Sequence, residues 1–249
     1  MAAMSDRTAP APAAVLVTSR PLDEYCGLFG LTRAAIAALP GPLLDCPGGA
    51  AALAAEARPL GCRVIATDPV YARSTEEISA RALAARATMA AAMDARPDLY
   101  PARRHRPPDR YLRSWDRAHR LFAADRAAHP GQYVAAALPR LPFADGTFAL
   151  TLSGYLVFAY PALFGPERQL AALTELVRVT VPGGEVRVHP LHDGAGRRTG
   201  HLDAVRRALG ARRITSEIRT VPSTEETGRP RRVLVLRRVV RPERHGGNG

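Results

Sequence analysis

Three features of the chain predict a doubly wound α/β fold. One is a strand-turn-helix-strand unit near its start, another is the regular alternation of strands and helices that follows, and the third is a closing pair of strands with no helix between them. The opening unit runs from the apolar Leu43-Leu44-Asp45 through Cys46-Pro47-Gly48-Gly49-Ala50 into an alanine-rich helix. It ends on a second strand, Arg63 to Asp68, whose tip carries a carboxylate. At 249 residues the chain accommodates one α/β core with a small insertion. The expected organisation is a disordered Ala/Pro-rich leader over 1–20, a single domain over 21–241, and a flexible tail over 242–249.

Ahead of the first strand, Leu22, Tyr25, Leu28, Phe29 and Ile36 fall at helical spacing, with Gly27 and Gly30 interrupting, which predicts a broken helix beside the glycine turn. After Asp68-Pro69 the alanine-rich stretch from Arg73 to Met93 predicts a helix, and a second is expected from about Asp109 to Ala127. Together they form a helical insertion (71–130) between the second and third strands, longer than an ordinary crossover. On its second helix Tyr111, Trp115, Ala118 and Phe122 make one narrow stripe for burial. Arg106, Arg110, Arg113, Arg117 and Arg120 lie opposite, with Asp109–Arg113 and Asp116–Arg120 spaced as i, i+4 pairs. The remaining strands are expected at 132–136, 148–153, 186–191, 213–221 and 232–240, with helices over 166–179 and 201–209 and a sharp turn at Pro182-Gly183-Gly184. The result is a mostly parallel seven-stranded sheet whose last strand is antiparallel.

The turn after the first strand carries the chemistry. Two glycines let a ligand approach the backbone, and the next helix offers unpaired N–H groups. Asp68, at the tip of the neighbouring strand, is placed to accept from a ribose. A dinucleotide fingerprint would space three glycines as G-x-G-x-x-G, whereas here the glycines are adjacent and Ala51 stands third. Asp45 at the start of the turn repels a phosphate and welcomes an ammonium. S-adenosylmethionine has the ammonium, a cationic sulfur and no phosphate. The expected cofactor residues are therefore Asp45, Cys46, Pro47, Gly48, Gly49, Asp68 and Pro69.

Composition bounds the setting. The net charge is +12, and all 35 basic residues are arginine, as expected of a GC-rich coding sequence. Nonspecific polyanion binding is plausible on that charge, but nucleic acid is not the favoured partner. Cys26, Cys46 and Cys62 are odd in number and lack C-x-x-C spacing, which argues against a disulfide framework and a structural zinc site, and no metal is expected. The start lacks the pattern of a secretory signal and no apolar run is long enough to span a bilayer, so a soluble, cytoplasmic protein without a membrane partner is expected. Oligomeric state is not legible.

Four stretches then make the chain resemble the class I, seven-stranded S-adenosylmethionine-dependent methyltransferases, and within them the methyltransferase type 11 group. They are the glycine turn Leu43 to Ala50, the carboxylate Asp68, the run Leu141-Pro142-Phe143-Ala144-Asp145-Gly146-Thr147-Phe148, and Glu175-Leu176-Val177-Arg178-Val179 with Pro182-Gly183-Gly184. The resemblance implies adenine contact near the end of the third strand. Ala137 stands where a carboxylate is usual, which leaves backbone around Ala136 to Leu138, and Ala149 stands where an acid usually follows the phenylalanine.

In an open α/β sheet the ligand lies across the carboxyl ends of the strands, so acceptor-side residues follow the fourth and fifth strands. Ser153, beside the cofactor, begins this set. Tyr155 and His189 are the expected groups for substrate contact or proton transfer, with Phe158 and His192 as further substrate contacts and Tyr25 and Phe29 covering from the first helix. Core packing explains the aromatics equally well. Ser153-Gly154-Tyr155-Leu156 lacks the signature of nucleobase amino-group methylation, and no cysteine follows that strand to attack a pyrimidine. A small organic acceptor is the expected substrate. An RNA-directed methyltransferase and a cofactor-binding protein that no longer catalyses are the alternatives.

Overall fold

The computed structural model describes residues 15–95, 108–222 and 230–239. Arg106, the first part of the expected leader and the expected tail lie outside the described residues, as does the Asp109 side chain. Val17, Ser19 and Arg20, ahead of Pro21, are buried, so the expectation of disorder is corrected for 15–20.

The broken helix is α1 (Leu22–Phe29) and α2 (Arg33–Ala37). It breaks at Gly30, which takes the left-handed conformation (φ 64°) that ends a helix without a Cβ penalty, and not at Gly27, which lies inside α1. The opening unit is β1 (Leu43–Asp45), the short α3 (Leu53–Ala57) and β2 (Val64–Thr67). The insertion is α4 (Thr75–Ala95) and α5 (Pro108–Ala128). Then come β3 (Tyr133–Val134), β4 (Phe148–Gly154), α6 (Pro166–Val179), β5 (Thr180–His189), α7 (Leu202–Ala211), β6 (Ile214–Val221) and β7 (Arg231–Arg238).

The seven strands form one sheet in the order β3-β2-β1-β4-β5-β7-β6. β1 to β5 pair in parallel, and β7 is antiparallel to both of its neighbours, as expected. Strand order reverses between β1 and β4, so the tips of those two strands flank the switch point where such sheets hold ligands. Alternation along the strands sorts the core. Leu43, Ala66, Leu150 and Leu152 face α1, α3 and α5, whereas Leu44, Cys46, Ile65 and Val188 face α6 and α7.

Two local expectations change. Pro182-Gly183-Gly184 is a bulge inside β5: register jumps from Phe148↔Thr180 to Leu150↔Glu185, and Val181 to Gly184 loop out opposite Ala149. A Cβ at Gly184 would sit 2.7 Å from the Ala149 carbonyl oxygen, so the close approach of the strands requires glycine there. On α5 the stripe of Trp115, Ala118 and Phe122 is buried, with Tyr111 half-buried at its end. Asp116, however, pairs with Arg86 of α4 and not with Arg120, because the neighbouring helix brings a bidentate guanidinium closer than its own next turn does.

Candidate functional site

The tips of β1 and β2 bring Asp45 and Asp68 to one crevice. Asp45 is buried; its Oδ2 accepts from the Tyr25 hydroxyl of α1 at 2.8 Å, and its Oδ1 is buried with no hydrogen-bond partner among the described residues. Burial pushes the Asp45 carboxyl up to about 7, against the opposing pull of the Tyr25 hydroxyl and the Arg20 cation, while the nearby Asp68 pushes it further up. Asp68 caps a short 3-10 turn by accepting the Val70 N–H at 2.9 Å, and its other oxygen accepts the Gly49 N–H at 3.0 Å. Burial raises its pKa despite those two donors. Pro69 is the exposed first residue of that turn.

The glycine turn is held tightly from three sides. Gly48 donates to the Thr67 carbonyl at 2.9 Å, and the Tyr71 hydroxyl donates to the Gly49 carbonyl at 2.8 Å. A Cβ at Gly48 would collide with the Tyr71 hydroxyl and stand 2.9 Å from the Ala66 Cβ. Gly49 has φ 54°, and a Cβ there would stand 2.9 Å from the Thr18 carbonyl oxygen. Thr18 belongs to a strap, residues 16–20, that crosses the turn. Its carbonyl accepts the Ala50 N–H at 3.0 Å, and the Arg20 carbonyl accepts the Ala52 N–H at 2.9 Å.

Arg20 carries its guanidinium into a box of aromatic rings, 4.2 Å from the Tyr155 centroid and 5.5 Å from that of Trp115. The Glu24 carboxylate anchors the box, accepting from Arg20 Nε at 2.8 Å, Trp115 Nε1 at 3.1 Å and the Tyr111 hydroxyl at 3.2 Å. Burial pulls the Arg20 pKa down, but Glu24 and the surrounding tyrosines outweigh it and hold the cation charged.

At the tips of β4 and β5, Tyr155 takes a left-handed backbone (φ 52°), sparsely populated for an aromatic residue, and its N–H donates to the His189 carbonyl at 2.7 Å. The Tyr155 ring meets His189 edge-on at 5.6 Å, with Phe29 at 6.5 Å and His192 at 6.5 Å on other sides of the imidazole. His189 Nδ1 lies 3.1 Å from the Arg232 carbonyl, which only accepts, so Nδ1 carries the proton and Nε2 is the bare nitrogen. Burial pushes the imidazole down to about 4, which keeps it neutral at pH 7.

The structure therefore gathers Asp45, Gly48, Gly49, Asp68, Tyr25, Phe29, Tyr155 and His189 on the α1 side of the sheet, with His192 beside them. It turns the side chains of four expected site residues elsewhere. Leu152 is the register partner of Asp45, so Ser153, one residue on, points to the opposite face, where its hydroxyl is buried without a partner. Cys46, Leu138 and Phe158 are packed in the α6-side core, and burial raises the Cys46 thiol to about 12. Pro47 follows Cys46 in a half-buried position, and Ala137 is exposed after β3, where it bridges to Arg140. Arg20, Glu24, Tyr71 and Trp115 complete the site although none was expected in it. The signal for two of them was the i, i+4 spacing of Arg20 and Glu24 across Pro21.

No family model matches the chain. It is 21% identical over 211 residues to the uncharacterised protein MJ0045 of Methanocaldococcus jannaschii, covering 79% of this chain and 87% of that one. Among solved structures it is similar to the Burkholderia thailandensis 1,6-didemethyltoxoflavin-N1-methyltransferase with bound 1,6-didemethyltoxoflavin and S-adenosylhomocysteine. That match has 17% identity and a TM-score of 0.47, over 84% of this chain and 76% of that one. It is also similar to the antibiotic-resistance methyltransferase Kmr, at 18% identity and a TM-score of 0.42, over 85% of this chain and 94% of that one. A methyltransferase from Pyrococcus furiosus matches at 15% identity and a TM-score of 0.42, over 80% of this chain and 76% of that one.

Proposed function

We propose that the chain is an enzyme that transfers a methyl group from S-adenosylmethionine to a small organic acceptor. The observation that carries this reading is Asp45 Oδ1, a buried carboxylate oxygen at the tip of β1 with no donor among the described residues. A buried acceptor of that kind is costly unless a ligand supplies a donor, and an ammonium supplies both the donor and the charge. The fit extends along the crevice. The Ala50 and Ala52 N–H groups, now on the carbonyls of the strap, suit a carboxylate, and Asp68 keeps lone pairs for ribose hydroxyls beyond its two backbone donors.

When bound, S-adenosylmethionine would supply an electrophilic methyl carbon on a cationic sulfur, the acceptor bonding to that carbon in line as the C–S bond breaks and neutral S-adenosylhomocysteine leaves. The chain's part is to bind, orient and exclude water. The Tyr155 face offers a surface for a cation, and Phe29, packed on His189, closes the α1 side. His189, held neutral with its bare Nε2, orients an acceptor hydroxyl by accepting its hydrogen bond. With a pKa near 4 it is a weak general base, so substrate contact is its role rather than proton removal.

A second reading, a cofactor-responsive protein without transfer, is favoured by one observation: the strap lies in the crevice. Calorimetric titration with S-adenosylmethionine tests the binding common to both, with one site per chain expected and absence of heat at millimolar cofactor contradicting both. Mass-spectrometric detection of methyl transfer to a panel of phenols, alcohols and amines separates them, since transfer to any acceptor ends the second reading.

A further inference from the structure

The strap is not a loose covering. Its Leu16 N–H donates to the Tyr160 hydroxyl at 3.1 Å, and just beyond its other end the Leu22 N–H donates to Glu56 Oε2 at 2.7 Å. Between these ties Val17, Ser19 and Arg20 are buried, with a cavity of about 10 Å³ between Ser19 and the insertion helices. The Arg20 side chain also donates to the Thr18 hydroxyl, which folds the strap onto itself.

The groups that the strap engages are the ones an amino acid with a cationic side chain would engage. Two backbone carbonyls take the turn's Ala50 and Ala52 N–H groups, where a carboxylate would sit, and a guanidinium takes the face of Tyr155 beside Trp115. We infer that residues 16–20 are an internal ligand for the amino-acid end of this crevice, so that the cofactor and the strap compete for one set of donors and one cation box. This inference rests on the methyl-donor reading of the site and adds its regulation: whatever holds the strap away raises cofactor affinity. The arithmetic is that of a binding-competent state populated only in part, whose apparent dissociation constant is the intrinsic one divided by the open fraction.

The test is calorimetric titration of the full chain with S-adenosylhomocysteine, in the wild type, Arg20→Ala and Arg20→Gln, together with emission from Trp115, the only tryptophan in the chain. Losing the guanidinium should tighten binding about tenfold or more in both variants. Emission should change on titration of the wild type, as Arg20 leaves the indole, and change far less in the variants. Equal or weaker binding by a variant whose melting temperature stays near that of the wild type overturns the internal ligand and leaves the methyl-donor reading standing. Arg20→Gln, which keeps the polar stem, decides the question if Arg20→Ala does not fold. Absence of heat in all three chains removes the methyl-donor reading and the inference with it.

Discussion

The tips of β1 and β2 and the tips of β4 and β5 share one edge of the sheet, yet burial acts on them in opposite senses. Around the glycine turn it raises Asp45 to about 7 and leaves a carboxylate oxygen without a donor; beside Tyr155 it lowers His189 to about 4 and keeps the ring neutral. The first region offers an unmet acceptor, and the one cation nearby, Arg20 of the chain itself, lies between the two regions, paired with Glu24 and stacked on Tyr155. The second sets a neutral imidazole, His189, against the ring of Tyr155, a left-handed backbone residue, and suits orientation rather than proton transfer. One edge thus separates charge recognition from positioning.

The contrast breaks most visibly at the turn itself. Gly48→Val drives side-chain carbon into the Tyr71 hydroxyl and Ala66, and a loss of about 3 kcal/mol is expected by chemical denaturation. Gly131→Ala, where a Cβ meets nothing within 4 Å, should stay within about 0.5 kcal/mol. Next in size is Glu24→Gln, which takes the anion from Arg20, Trp115 and Tyr111 together and strands a buried cation. About 2–3 kcal/mol should be lost, with a change in Trp115 emission.

Asp45 and His189 should respond to pH in opposite directions. The folded pKa of Asp45 lies above its ordinary value near 4, so its contribution to stability is full below that value and is lost as pH rises through about 7. Asp45→Asn should therefore melt about 3 °C or more above the wild type at pH 8, and the gain should vanish near pH 4. The same variant should bind S-adenosylmethionine at least about tenfold more weakly, the signature of a site whose function costs stability. His189 runs the other way: its folded pKa lies below 6.5, so its contribution is present above 6.5 and is lost as pH falls through about 4. His189→Asn should flatten that acidic limb of the melting profile and leave the alkaline limb unchanged.

The smallest effect is expected on the arginine face of α5. Arg113 and Arg120 are exposed, whereas Arg117 is tied to Glu56 and Arg126 to Thr75 and to the carbonyls of Tyr71 and Arg73. Arg113→Ala with Arg120→Ala should change stability by less than about 0.5 kcal/mol. The salt dependence of RNA binding should be nearly the same with and without the pair, and a steep dependence removed by it would favour an RNA acceptor.

Much of the fold was legible because its signals are local. The apolar alternation of β4, the stripe of α6 and the two-strand ending each announce themselves within a dozen residues, and β4 and α6 fall within a residue of expectation. The site was legible in part. Asp45 and Asp68 share a crevice because parallel pairing of β1 with β2 brings their tips together, which sequence spacing alone suggests. The side chains of Ser153 and Cys46 fall on the other face because the face a residue takes on or beside a strand depends on register with the neighbouring strand, and a one-residue offset reverses it, whereas Leu138 and Phe158 lie outside the strands, where alternation assigns no face. The strap was hidden by composition: an Ala/Pro-rich start reads as disorder until Arg20 is seen between Tyr155 and Trp115.

The most direct test of the central claim is a crystal structure of the chain with S-adenosylhomocysteine. The ligand's ammonium is expected on Asp45 Oδ1, its ribose at Asp68, and residues 16–20 lifted from the Ala50 and Ala52 N–H groups. Ligand bound elsewhere, with Thr18 and Arg20 still seated on the turn, would contradict it.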